Sequence, residues 1–63
     1  MTDKELSYVE DATMHEISII NICKRTEESL EEEELKEFIQ GEIKKHEELR
    51  DNLKNLLEAN ANE

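Results

Sequence analysis

A carboxylate and an imidazole lie four residues apart in the second half of the sequence, inside an apolar pattern. Glu42 and His46 would be separated by about one turn of a helix. A rotation of about 100° per residue places both near the centre of one apolar stripe. That stripe is formed by Leu35, Phe38, Ile39, Leu49, Leu53 and Leu56. Carboxylates and imidazoles bind divalent metal ions and exchange protons, so this pair could carry either chemistry.

Two capping boxes predict where the helices begin. Thr2 and Glu5 have the spacing in which a threonine caps the helix and a glutamate reaches back to it. Ser29 and Glu32 repeat the spacing and predict a second start.

The helices are predicted at about 3–26 and 32–58, with a turn at about 27–31 and a frayed tail at 59–63. The sequence has no proline and one glycine, so few residues would interrupt a helix. A short connection between helices of similar length folds them antiparallel. We therefore expect an all-α antiparallel helical hairpin that forms a single domain over residues 1–63.

Folding this hairpin brings a third ionisable residue to the height of Glu42 and His46, which we call the polar level. Glu16 lies near the centre of the first helix's apolar cluster, which comprises Val9, Ala12, Ile19, Ile20 and Cys23. With a turn centred near residue 30, Glu16 lies level with residue 44, midway between Glu42 and His46. The pattern predicts a cluster of two glutamates and one histidine inside the hairpin.

Two interpretations of this cluster remain open. In the first, a protonated His46 pairs with Glu16 or Glu42, and the polar triad fixes the register of the helices. Two carboxylates then leave excess negative charge in a region of low dielectric, unless one carboxylate keeps a proton or Lys45 folds inward. In the second, a divalent cation bound by Glu16, Glu42 and His46 removes that excess.

The composition limits the classes of partner. Eighteen acidic and eight basic residues give a net charge of −10, which disfavours nucleic acid and anionic membranes. We see no signal peptide and no apolar run of membrane-spanning length, so we expect a cytoplasmic protein. The sequence has no Ser/His/Asp set, phosphate-binding glycine loop or CxxC motif, and thus no hydrolase or transferase motif.

A chain of 63 residues buries little apolar surface by itself. Its single cysteine excludes an intramolecular disulfide, so metal or partner chains must supply the missing stability. We expect a homodimer or higher oligomer in which two hairpins form a four-helix bundle. A twofold axis near the polar level would bring together two copies of the three polar residues, enough to balance two divalent metals.

The segments "MHEISIIN" (14–21) and "ELKEFIQGEIKKHEEL" (34–49) resemble the first helix pair of the ferritin-like superfamily, in a two-helix, half-bundle form. The chain is similar to encapsulated ferritins, which build an iron site between two chains. From Thr2 to Leu57 it also resembles the ferritin-like spore coat F proteins. The chain departs from the usual Glu-x-x-His motif, because Glu42 and His46 have three residues between them and Lys45 occupies the i+3 position.

The resemblance implies a small homo-oligomeric bundle that binds iron or manganese at the dimer interface. Glu16, Glu42 and His46 would be the ligands, and iron oxidation or storage the function. Any enzymatic activity would be at most ferroxidase-like. The alternative is a metal-free structural or interaction protein, spore-coat-like or an adaptor, whose polar residues set the pairing. Either form could be associated with a spore or a protein shell.

Three further residues could support such a metal site from outside: His15, Tyr8 and Lys45. His15 adjoins Glu16, and Tyr8 lies one or two turns away; exposure of His15 and core packing of Tyr8 are the simpler expectations. The run Glu31–Glu34 could bind cations, although acidic residues at a helix start also suit the positive end of its dipole.

Overall fold

Two long helices make up nearly all of the chain. A computed structural model describes residues 1–61, with α1 at Asp3–Ser29 and α2 at Glu33–Ala61. The helices pack against each other, and the N-terminal ammonium of Met1 donates to the Asn60 side chain at 3.3 Å, so the two chain ends adjoin. Residues 1–61 include no strand. The predicted all-α antiparallel hairpin is therefore confirmed as the fold of one chain.

The first predicted capping box forms. The backbone N–H of Glu5 donates to the Thr2 hydroxyl at 3.1 Å, and the N–H of Thr2 donates to the Glu5 carboxylate at 2.8 Å. Thr2 itself has extended backbone angles, φ −69° and ψ 164°. Two backbone donors at the start of α1, which have no partner inside the helix, are thereby satisfied.

The second predicted capping box does not form, because Ser29 is the last residue of α1. Its hydroxyl donates to the carbonyl of Arg25 at 3.4 Å. Leu30 then leaves the helix with φ −84° and ψ 143°. Helix α1 thus continues three residues beyond the predicted end, and the connection to α2 is the three-residue segment 30–32.

The C-terminal end of α2 also extends further than predicted. Residues 59–61 were expected to fray and are helical. The remainder of the predicted frayed tail, residues 62–63, lies outside the described residues. No helix in the described part of the chain is both long enough and apolar enough to cross a membrane.

The less exposed residues of each helix recur at alternating spacings of three and four. This is the heptad pattern of a coiled coil, in which two positions per heptad face the partner helix. We call these positions the seam. In α1 they are Leu6, Val9, Thr13, Glu16, Ile20, Cys23 and Glu27, followed by Leu30 at its end; in α2 they are Lys36, Ile39, Ile43, His46, Arg50, Leu53, Leu57 and Asn60.

The buried part of the seam is small. Among the described residues, the buried apolar side chains are Ile20 and Ile43, which are 2% and 9% exposed. Thr13 is also buried, and its hydroxyl donates to the Val9 carbonyl at 2.8 Å, so this polar group keeps a partner. Two buried isoleucines are a modest core for two helices of this length.

A second apolar surface lies along one side of the hairpin. Its large side chains are exposed: Tyr8, Ile22, Leu35, Phe38, Leu49 and Leu56. Each immediately precedes a seam residue. In antiparallel helices, the residues that precede the seam lie on the same side of the pair, because equivalent heptad positions face each other. We call this surface the outer apolar face; Glu42 belongs to it as well, since it precedes Ile43.

Candidate functional site

A short polar contact joins the two helices at mid-height. His46 Nδ1 lies 2.5 Å from Glu16 Oε2, and this contact joins residues thirty positions apart. Both residues occupy seam positions, which is why their side chains point at each other. The Glu16 side chain is only 12% exposed and that of His46 23%, so the pair is largely withdrawn from water. A carboxylate has no proton to donate, so Nδ1–H of the imidazole is the donor.

Glu42 approaches the same imidazole from its other side. Its Oε2 atom lies 3.8 Å from His46 Nε2, and its side chain is 31% exposed. The Lys45 ammonium lies 3.7 Å from Glu42 Oε1. Glu42 therefore lies between the seam and the outer apolar face, and Lys45 is its ion-pair partner within the single chain.

The predicted three-residue cluster thus exists, but the imidazole ring separates its two carboxylates. Nδ1 and Nε2 point away from each other, and each faces a different glutamate. Within residues 1–61, no group of three or more His, Cys, Asp or Glu side chains is arranged to hold one metal ion. Glu42 and His46 together offer one oxygen and one nitrogen, which fit as part of a metal site.

The other predicted supporting residues lie on the same side of the hairpin. Tyr8, His15 and Lys45 each immediately precede a seam residue. Tyr8 and His15 are exposed, as expected for His15 but not for a core tyrosine. Of these three, Lys45 makes an ion pair with the cluster.

Several polar seam residues were not predicted from the sequence. Arg50 follows His46 by one turn and takes a seam position, with its Nε 3.1 Å from Asp51 Oδ1. Glu27 and Lys36 also occupy seam positions, close to the turn. A strict alternation of three- and four-residue spacings would have identified them as seam residues. The broader apolar stripe does not, because it includes residues of both the seam and the outer apolar face.

Comparison of the chain with protein families, with characterised proteins and with solved structures gave no match. The similarity to ferritin-like proteins therefore stays a prediction. The fold and the polar contact define a class: an antiparallel coiled-coil hairpin with a carboxylate–imidazole–carboxylate cluster at mid-height.

Proposed function

We propose that this chain forms a homodimeric or larger ferritin-like helical bundle that binds a divalent metal ion, iron or manganese, where two copies meet. Glu16, Glu42 and His46 form the site, which would be of the di-iron or di-manganese type. The observation that carries the proposal is the position of Glu42 and His46 Nε2 beside an exposed apolar face. The ferritin-like resemblance extends the proposal to iron oxidation or storage, and to association with a spore or protein shell.

The outer apolar face supports self-association. Its six large side chains are exposed in the single chain, while the buried apolar side chains of the seam are two isoleucines among the described residues. Burying a leucine or phenylalanine side chain contributes about 1.5–3 kcal/mol. A second copy offers the same face, so a twofold arrangement covers both surfaces with one contact.

The charge on that face supports metal binding. Glu42 is flanked by Leu35 and Leu49, each seven residues away and therefore about two turns along the same side. Self-association would withdraw the Glu42 carboxylate from water, which costs several kcal/mol without a compensating charge. Lys45 provides one positive charge per chain, and Glu16 adds a further carboxylate. A divalent cation held by oxygen and imidazole nitrogen compensates the remaining charge.

Metal titration of chelator-free, metal-stripped protein tests the proposal. We expect iron(II) under anaerobic conditions, or manganese(II), to raise the melting temperature followed by circular dichroism. A ligand at one hundred times its Kd stabilises the state that binds it by about 2.7 kcal/mol. Native mass spectrometry should show the metal on dimers or larger assemblies. Glu42→Gln should abolish the gain, whereas Glu48→Gln, a change on the exposed side of α2, should keep it.

A metal-free structural or interaction protein is the second candidate. The contact between Glu16 and His46 favours it, because these two side chains already bond to each other within one chain. Polar pairs in a coiled-coil seam can fix register and partner choice. An assembly that persists without metal, and gains no thermal stability from iron or manganese, would support this candidate and reject the first.

A further inference from the structure

We infer that Glu16 is a positioning residue for the metal site and not a metal ligand: it holds the imidazole of His46 so that Nε2, next to Glu42, faces the ion. This inference rests on the proposed function, since it assigns roles within the same cluster. It separates the three residues into two ligands, both on α2, and one supporting carboxylate on α1.

The geometry of the imidazole carries the assignment. Glu16 Oε2 occupies the Nδ1 side of the ring at 2.5 Å. A metal ion bound to a histidine nitrogen lies about 2.0–2.1 Å from it, in line with that nitrogen's lone pair. An ion on Nε2 is thus on the far side of the ring from Glu16, out of reach of its carboxylate in this arrangement.

Glu42 lies on the correct side to share that ion. Its Oε2 atom is 3.8 Å from Nε2. Two ligand atoms on one tetrahedral ion, with bonds of about 2.1 Å, are separated by about 3.4 Å. A small side-chain rotation of Glu42 closes this difference. Its present partner, the Lys45 ammonium, is 3.7 Å away and mostly solvated, so the metal would displace a weak contact.

The chemistry of the Glu16 contact agrees with a supporting role. A carboxylate that accepts the Nδ1–H bond fixes the tautomer in which Nε2 carries the free lone pair. Glu16 is the least exposed of the three side chains, which suits a group that orients another more than one that must reach an ion on the outer face.

Cobalt(II) is a suitable probe, because its visible absorption reports the number and type of its ligands. Glu16→Gln keeps an oxygen that can accept the Nδ1–H bond and loses the negative charge. We expect this variant to show the wild-type cobalt spectrum with an affinity lower by about 10–100-fold, the usual effect of removing a carboxylate behind a ligating histidine. Glu42→Gln should change the band positions and intensities, because a ligand is replaced.

Two results would overturn the inference, and they are distinguishable. A Glu16→Gln spectrum altered in the same way as that of Glu42→Gln would show that Glu16 is a ligand, with the metal site itself intact. Wild-type protein without any cobalt(II) spectrum would remove the proposed metal function and this inference together.

A second measurement does not depend on the folding of any variant. Nitrogen-15 NMR of the wild-type protein loaded with zinc(II) distinguishes the two ring nitrogens of His46. We expect a proton on Nδ1 and the metal on Nε2. Metal on Nδ1, or no change on adding zinc(II), would contradict the assignment.

Discussion

His46 holds the polar level of the hairpin together, because each of its ring nitrogens faces a different carboxylate. Glu16 reaches it from α1, and Glu42 from one turn earlier on α2. The spacing of Glu42 and His46, and the placement of Glu16 at about the same height, could be predicted from the sequence. The assignment of each carboxylate to a ring nitrogen could not, because it depends on side-chain rotamers and on the exact register of the helices.

Glu5 gives a residue-scale prediction of pH dependence. The hydrogen bond from the Thr2 backbone, and then that with its side chain, lower the pKa of Glu5 below the usual 4.5. A lowered pKa in the folded state means that the ionised group stabilises the fold above the unfolded-state pKa. This contribution is lost as the pH falls through the folded-state pKa.

We therefore expect Glu5→Gln to lower the melting temperature slightly at pH 6–7, and to have a smaller effect at pH 3. A glutamine can still accept the capping hydrogen bond but carries no charge to titrate. Comparing the two proteins at each pH cancels the titration of the other carboxylates. A difference that stays constant from pH 7 to pH 3 would show that the charge of Glu5 does not contribute.

At the scale of the elements, local signals specify the start of α1 and tertiary packing specifies its end. Thr2 and Glu5 contain both halves of a capping box, so the start is readable from the sequence. Ser29 could cap α2 or bond back to Arg25. The bond to Arg25 keeps α1 helical through the seam residue Glu27. The packing of Glu27 against α2 cannot be read from the local sequence, because it depends on the position of α2.

The later end of α1 also explains the register. The turn was predicted near residue 30, which placed Glu16 level with residue 44. In the structure the connection spans 30–32, and Glu16 meets His46. A shift of about one residue in the turn moves the opposing position by two, which is enough to change which residue receives the contact.

Gly41 provides a prediction for α2. A methyl group added at this position would have no neighbour within 4 Å, and the backbone there does not have positive φ. Alanine is favoured over glycine inside a helix by about 1 kcal/mol. We expect Gly41→Ala to stabilise the protein and to raise its melting temperature by about 4–8 °C, followed by circular dichroism. Destabilisation would instead indicate that a partner chain packs closely against this position.

At the scale of the whole molecule, the backbone of the described residues forms a narrow rod, 47 × 14 × 11 Å, with an apolar side and a charged remainder. The outer apolar face explains why the sequence shows a broader stripe than one seam requires. Leu35, Phe38, Leu49 and Leu56 belong to this face, although each adjoins a seam residue. The apolar pattern alone mixed the two surfaces, and only the exposure of each side chain separates them.

Assembly can be tested with two separate lysine substitutions, one on the outer apolar face and one on another surface of the rod. Phe38 is 65% exposed on the outer apolar face, and Met14 is 62% exposed outside it. We expect Phe38→Lys to weaken the proposed dimer at least tenfold, because an ammonium would be buried where a ring was, whereas Met14→Lys should leave it unchanged. Sedimentation equilibrium measures both. Equal effects of the two substitutions would exclude the outer apolar face as the contact surface.

The short connection also restricts exchange of helices between chains. Successive seam positions are three or four residues apart, but Leu30 and Lys36 are separated by six. The alternation places the next seam position four residues after Leu30, so in one uninterrupted helix Lys36 comes two residues later than the pattern requires. Two residues correspond to about 200° of rotation, so the seam of the second half would be about 160° out of phase with the first. A domain-swapped form with a single straightened helix would therefore present its two apolar strips on different sides. The bend at 30–32 restores their alignment, and the closed hairpin is the arrangement that this interruption favours.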